Sequence, residues 1–399
     1  MSTLNTDRGV NFPKGFQSAG IYCGIKKPGV LDLALIVSER VASVAGVFTT
    51  NQACAAPVRW SRRVVRGGQA QAIIANSGNA NCLIGTQGDE DAARMAHLVA
   101  QRLGCEPQQV AVASTGVIGV PLPMHAIEAG ISQLFNRLSD GDDRPTADAI
   151  LTTDTFHKRA CIEVATPDGT VRIGAIAKGA GMIAPNMATM LAFITTDAGS
   201  PTSQLQPILK RVVDKTFNSI TVDGDTSTND TVLLLANGAS GVQLTETSLE
   251  PFENGLYQVC EYLAKRIVRD GEGATKLFEV TVRTADTHES ARKVARTIAE
   301  SLLVKTAMHV GDPNWGRIIA AAGRAGVPID VYRMSLAIQG VRVFENGQPT
   351  QYDEPTLVRL LQTDTIELVL ELWQGDAEAT FWSSDLTAEY VKINASYRA

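Results

Sequence analysis

Along this chain, short apolar runs of strand length alternate with longer segments in which apolar residues recur every three or four positions. Interleaving of that kind dictates an α/β or α+β fold, with strands buried by the helices between them. Residues 33–38 (LALIVS), 71–75 (QAIIA) and 110–114 (VAVAS) read as buried strands, bounded by polar or glycine-containing turns. The stretch 89–103 begins with acidic residues, sets Ala92, Met95, Ala96, Val99 and Leu103 on one face, and stops at Gly104 before Pro107. That pattern predicts a helix. Met124, Ile127, Ile131 and Leu134 predict another after Pro123, and helical periods follow over 205–217, 257–268 and 289–303.

With 399 residues, 44% of them hydrophobic and 20% charged, the chain can bury the cores of two or three domains. Its 36 basic residues against 42 acidic ones leave a net charge of -6, so no basic field exists to hold a nucleic-acid backbone or an anionic membrane. The opening MSTLNTDRGV lacks a basic segment followed by an apolar run, which points to a cytoplasmic protein. The longest uncharged stretch, 179–196, carries Gly179, Gly181, Pro185, Asn186 and threonines, and does not read as a membrane span. The six cysteines form no CxxC pair, so the expectation is reduced thiols, without disulfides and without a zinc site. The five histidines are dispersed too, which leaves open a triad assembled from distant residues. Candidate joints at 140–145 (DGDDRP, a surface turn) and 197–201 (DAGSP) mark domain boundaries only weakly.

Two motifs fail on their context. Gly179-Ala-Gly181-Met-Ile-Ala184 has the GxGxxA form of a dinucleotide loop and follows the strand-like VRIGAIA. Pro185 and Asn186, however, stand where the phosphate-binding helix should be running. Asp223, Asp225, Ser227 and Asn229 alternate like calcium ligands, yet Thr228 replaces the required glycine and Leu234 the terminal acid. A hydrogen-bonded loop entering a strand at 232–235 is the better reading. No metal or nucleotide cofactor is expected.

The run 178–197, KGAGMIAPNMATMLAFITTD, resembles the signature of the ArgJ family, the ornithine acetyltransferases of arginine biosynthesis. The resemblance covers nearly the whole chain. It includes Gly15-Phe16, 19–25 (AGIYCGI), 47–51 (VFTTN), 76–81 (NSGNAN), 114–119 (STGVIG) and 151–155 (LTTDT), then 219–225 (SITVDGD), 270–276 (DGEGATK), 312–317 (DPNWGR) and 390–394 (YVKIN).

That resemblance implies a precursor that cuts itself between Ala188 and Thr189, giving an α chain, 1–188, and a β chain, 189–399, that begins with its nucleophile. The chemistry is coherent, because a threonine hydroxyl needs a base and a new α-amine, titrating near about pH 8, supplies one on the same residue. Taken alone, Thr189 would read as a β-branched residue opening the buried strand MLAFI. Thr115 and Gly116 match the family's oxyanion pair, a hydroxyl and a backbone N–H at the end of a strand where glycine permits close approach. Substrate contacts carry over to Thr152, Lys178, Thr189, Glu272 and Asn394. Lys178 suits an α-carboxylate, and Glu272, between two glycines that shield it little, suits the cationic end of ornithine or else orients the Thr189 amine. Each charge by itself would read as a solvated surface group. The family's usual C-terminal threonine is missing, since this chain ends Asn394-Ala-Ser-Tyr-Arg-Ala399 with Ser396 nearby.

The implied reaction moves an acetyl group from N-acetylornithine to glutamate through acetyl-Thr189, and acetyl-CoA, used by some members of the family, stands beside N-acetylornithine as a candidate donor. The implied assembly is a heterotetramer of two α and two β chains in the layered α/β sandwich shared with DmpA-type aminopeptidases. The competing readings are an N-terminal-nucleophile aminopeptidase or amidase of the same architecture, and a metabolite-binding protein without turnover.

Overall fold

The computed structural model describes residues 3–184 and 190–396. Their elements, in chain order, are β1 (Phe16–Ile21), β2 (Leu33–Phe48), α1 (Ala56–Gly67), β3 (Gln69–Asn79), α2 (Thr86–Leu103), β4 (Val110–Val117), α3 (Met124–Phe135) and α4 (Arg144–Ala149). They continue with β5 (Lys158–Thr166), β6 (Gly169–Lys178), β7 (Leu191–Thr196), α5 (Thr202–Lys215), β8 (Ile220–Thr221), β9 (Thr231–Ala236), α6 (Glu246–Arg269), β10 (Leu277–Ala285), α7 (His288–Ala299), α8 (Leu302–Val310) and α9 (Trp315–Gly323). The last are β11 (Ser335–Ile338), β12 (Val341–Glu345), β13 (Gln348–Pro349), α10 (Glu354–Leu360), β14 (Thr365–Glu371), β15 (Ala377–Ser384) and α11 (Ala388–Ser396). The class is the expected mixture of strands and helices, arranged in two compact units. One runs to Asn218 and resumes over Asp225–Ile267, and the other takes Ser219–Gly224 and the chain from Val268 onward.

In the first unit the described strands are ordered β4-β3-β2-β9-β7-β6-β5, with β1 paired on β2. At its centre β7 and β9 run parallel, and every residue of LAFITT and TVLLLA is buried, which explains why these strands read as continuous rather than alternating apolar runs. β2 extends far past the expected 33–38. Its polar Ser38-Glu39-Arg40 interruption is a bulge, with the register against β3 shifting between Val37 and Ala42 and the second half pairing with β9. Neither candidate joint is a boundary between the units. The 140–145 turn lies at the surface, with Asp140, Gly141, Asp142 and Arg144 exposed, and is anchored through one residue: Asp143 is buried, accepts the N–H groups of Gly9 and Asn11, and pairs with Arg159 at 2.7 Å.

The second unit has its own sheet, β13-β12-β11-β14-β10-β15-β8 among the described residues. Helix α7 packs on β10 and β15 through Ala291, Val294, Ala295 and Ile298, capped by the Thr287 hydroxyl accepting the Ser290 N–H. The helical period predicted over 289–303 is therefore two helices. Ser301 has extended backbone and starts α8, which turns Val304, Ala307 and Met308 into the core beside α7. No helix among the described residues is long and apolar enough to cross a membrane, and no group of His, Cys, Asp or Glu among them could hold a metal ion.

Contacts between the elements of the first unit depend on small residues. A Cβ on Gly20 of β1 would sit 1.9 Å from the Pro145 carbonyl oxygen, so β1 lies directly on the backbone of α4. Gly20→Ala should force the two apart and lower stability by about 1–3 kcal/mol, as overpacking does, read as a reduced denaturant midpoint.

Candidate functional site

Helix α2 and strands β3 and β4 present residues 114–117 at one end of the first sheet, where Thr115 pairs with Ser77 and Gly116 with Gly78 in parallel register. Gly116 has φ +131°, and a Cβ on it would lie 2.3 Å from the Gly78 carbonyl carbon. The close approach expected of this glycine is thus made first by the neighbouring strand. Buried amides fix the strand end: the Ser114 hydroxyl donates to Asn76 Oδ1 at 2.6 Å, Asn76 Nδ2 donates to the Asn79 carbonyl at 2.8 Å, and Asn229 Nδ2 donates to the Ala80 and Ser114 carbonyls. With its backbone partners satisfied, this loop cannot drift without breaking buried hydrogen bonds.

Lys178 closes β6, and its side chain is buried to 2% exposure, so the solvated-charge alternative does not hold for it. Its Nζ donates to Thr152 Oγ1 at 2.8 Å and to Thr115 Oγ1 at 3.2 Å. Three of the expected site residues, from β4, the 151–157 loop and β6, therefore meet around one ammonium. Asp154 is what makes that burial tolerable. Its fully buried carboxylate pairs with Lys158 at 2.7 Å, accepts the Gly179 and Thr152 N–H groups, and lies 4.0 Å from Lys178 Nζ. Burial alone would raise the Asp154 carboxyl, but Lys158 and Lys178 outweigh it and hold it well below the usual carboxylate range. Lys26 supports the same loop, donating to the carbonyls of Leu151 and Leu31, with its amine pushed down to about 8 by burial.

The connection between β6 and β7, antiparallel neighbours in which Lys178 faces Leu191, contains the expected cleavage position. Ala188 and Thr189 themselves lie outside the described residues. The described part of this connection that follows Lys178, residues 179–184, is not helical.

The second unit joins the other two expected residues: Asn394 Nδ2 donates to Glu272 Oε2 at 2.8 Å. The flanking glycines do not expose Glu272, as the sequence suggested, but bury it. Gly273 has φ +71°, and a Cβ there would meet the Tyr390 nitrogen at 2.6 Å, so α11 settles on the loop backbone and delivers Asn394. The loop is clamped by buried Asp385, which accepts the N–H groups of Thr275 and Lys276, the Thr275 hydroxyl at 2.6 Å and His309 Nδ1 at 2.8 Å. Here a threonine, a histidine and an aspartate do converge from distant positions. The threonine proton goes to the aspartate rather than to the histidine, however, so the trio braces a loop and does not form a nucleophile relay.

Sequence reasoning missed Asp154, Lys158, Asn229 and Asp230. Asp154 stands inside LTTDT, and Asn229 and Asp230 close the alternating polar run whose calcium reading failed; a polar residue kept at a strand end was the available signal.

The ArgJ family model matches residues 17–399. An arginine biosynthesis bifunctional protein ArgJ from Symbiobacterium thermophilum is 48% identical over 395 residues, 98% of each chain. One from Thermosynechococcus vestitus is 47% identical over 411 residues, covering 98% of this chain and 97% of the other. Among solved structures, ornithine acetyltransferase complexed with ornithine, from Mycobacterium tuberculosis, is 39% identical with TM-score 0.43, covering 46% of this chain and 98% of its own.

Asp154→Asn should leave Lys158 and Lys178 buried without a carboxylate between them, at a cost of about 3–5 kcal/mol. Because the Asp154 carboxyl is held below its ordinary value, its contribution is complete above the usual aspartate range and is lost only as pH falls beneath it. Denaturant titrations should show the stability gap between wild type and Asp154→Asn wide at pH 7 and narrowing only in strong acid.

Proposed function

The chain belongs to the ArgJ family, and from that premise we propose that it transfers an acetyl group from N-acetylornithine to glutamate in arginine biosynthesis, with Thr189 as the nucleophile. The observation that carries the reading is the buried ammonium of Lys178 between Thr115 and Thr152. Lys158 and Lys178 both pair with the Asp154 carboxylate, at 2.7 and 4.0 Å, which keeps the Lys178 ammonium charged inside the protein. A buried ammonium suits an α-carboxylate, and both N-acetylornithine and glutamate carry one.

In the proposed maturation, Thr189 Oγ adds to the Ala188 carbonyl carbon. The C–N bond breaks with a proton moving to nitrogen, and water hydrolyses the resulting ester, freeing the Thr189 hydroxyl and α-amine. In turnover that amine takes the hydroxyl proton as Oγ attacks the acetyl carbonyl. Thr115 and Gly116 donate to the oxyanion, the bond to the ornithine nitrogen breaks, and ornithine leaves with the proton. Glutamate's amine then attacks acetyl-Thr189, and its proton returns to Oγ as N-acetylglutamate departs. Glu272, fixed by Asn394, serves the cationic end of ornithine or orients the Thr189 amine. The word bifunctional in the relatives' names supports a second activity, for which acetyl-CoA is the candidate donor. The working form is a cytoplasmic heterotetramer of two α and two β chains. An aminopeptidase of the same architecture is not favoured, since relatives that match this chain end to end at 46–48% identity are named ArgJ proteins.

Denaturing gels of the purified protein should show two fragments, the second with N-terminal sequence Thr-Met-Leu-Ala-Phe, and Thr189→Ala should stay one chain. An active wild type that is never cut would remove the free amine as base. Thr115→Ala should lower kcat by roughly 10²–10³ with a smaller change in KM, the usual loss for one oxyanion donor. Steady-state plots should be parallel, as a ping-pong reaction requires. Lys178→Met should impair use of both substrates, whereas Glu272→Gln should impair ornithine release more than glutamate acetylation. Equal damage to both half-reactions together with loss of the acetyl-enzyme mass would give Glu272 the amine-orienting role.

A further inference from the structure

One buried acid has no part in the chemistry above. Asp230 precedes β9 with its side chain fully enclosed, in a sequence where the neighbouring positions are filled by threonine, asparagine and valine. Its Oδ1 accepts the Met190 N–H at 3.1 Å, and the N–H of Thr231 donates to the Met190 carbonyl at 3.2 Å. Residues 230 and 231 thus hold both backbone polar groups of Met190. Asp230 is itself anchored, its carbonyl accepting the Thr49 N–H at 3.1 Å. Its second oxygen, Oδ2, has no hydrogen-bond partner among the described residues.

A buried carboxyl costs more to keep than an apolar side chain in the same place, so its presence here calls for a task. Burial pushes the carboxyl well above its usual value, against the opposing influence of the Met190 N–H, Lys178, Ser227 and Thr49. A neutral carboxyl can still accept through Oδ1, which is the contact seen. The held N–H belongs to the peptide that joins residues 189 and 190. A peptide unit is planar, so a contact to its N–H acts on the whole unit and not on one atom.

We propose that Asp230 is a positioning residue for the acyl-transfer reaction, its Oδ1 holding the backbone N–H of Met190, the residue that follows the nucleophile in the chain. The proposal rests on the reading of Thr189 as nucleophile. A nucleophile displaced by a fraction of an ångström loses rate while substrate affinity is kept, because the hydrogen bonds of Lys178 to Thr152 and Thr115 do not run through Asp230.

The test compares full-length wild type, Asp230→Ala and Asp230→Asn by intact mass, melting temperature and steady-state acetyl transfer from N-acetylornithine to glutamate, with rates normalised to the cut fraction. Asp230→Ala, which removes the acceptor, should lower kcat by at least about tenfold with KM within about twofold of wild type. Asp230→Asn, which keeps an acceptor oxygen in the same place, should restore most of that loss. Should Asp230→Ala not fold, Asp230→Leu fills the volume without an acceptor and gives the same comparison. Wild-type kcat in the acceptor-free variant overturns the proposal, as does a loss in Asp230→Asn equal to that in Asp230→Ala. A wild type that turns over while remaining one chain, with no acetyl group on a fragment beginning at Thr189, overturns the nucleophile reading instead, and the wild-type sample alone reveals it.

Discussion

The first unit's site depends on a single carboxylate. Asp154 is enclosed, yet it stays ionised because two lysines pair with it and two backbone N–H groups donate to it. Each of those contacts draws in a different segment: Lys158 opens β5, Lys178 closes β6, Gly179 starts the connection to β7, and Thr152 belongs to the loop that also takes Lys26. Removing the charge would undo the reason these segments converge. A buried ion cluster seldom stabilises a fold more than apolar packing would, so its presence here is best understood as the means of holding the Lys178 ammonium inside the protein.

The proposed cut would fall within a sheet, not between domains. β6 and β7 are hydrogen-bonded neighbours from Ile173–Thr196 to Lys178–Leu191, and β7 continues the sheet to β9. Chains 1–188 and 189–399 would therefore each contribute strands to one hydrogen-bonded layer, and the layer's continuity would survive loss of a single peptide bond in a connection. The compact units divide the chain elsewhere, around Asn218 and Ile267. Covalent boundary and folding boundary would then be separate properties of this protein, because the pairing of β6 with β7 is made by hydrogen bonds between the strands and not by the connection that joins them.

Glycines do different work in the two units. Gly116 brings β4 against β3 so closely that only a hydrogen atom fits, which presses residue 115 to the strand end; Gly273 lets a terminal helix lie on the backbone of the loop that carries Glu272. In both places the missing side chain is filled by another backbone, and the polar residue beside it gains a fixed partner: Lys178 for Thr115, Asn394 for Glu272.

Sequence alone determined the class of fold, the positions of strands such as β3 and β4, the helix ending at Gly104, and the family, because apolar periodicity and motif order are local properties that survive without coordinates. It also pointed to Thr115, Gly116, Thr152, Lys178, Glu272 and Asn394. Tertiary structure decided what those residues meet. Lys178 and Glu272 read as charges that water could serve, and only the packing of β6 and α11 shows that protein atoms serve them instead. Asp154 and Asp230 drew no reading from the sequence because partners that define them lie far along the chain, Lys178 and Gly179 for Asp154, and for Asp230 the Met190 amide forty residues away. Burial and pairing across such separations leave no periodic mark, since they arise from where separate strands end beside one another and not from the spacing along any one of them.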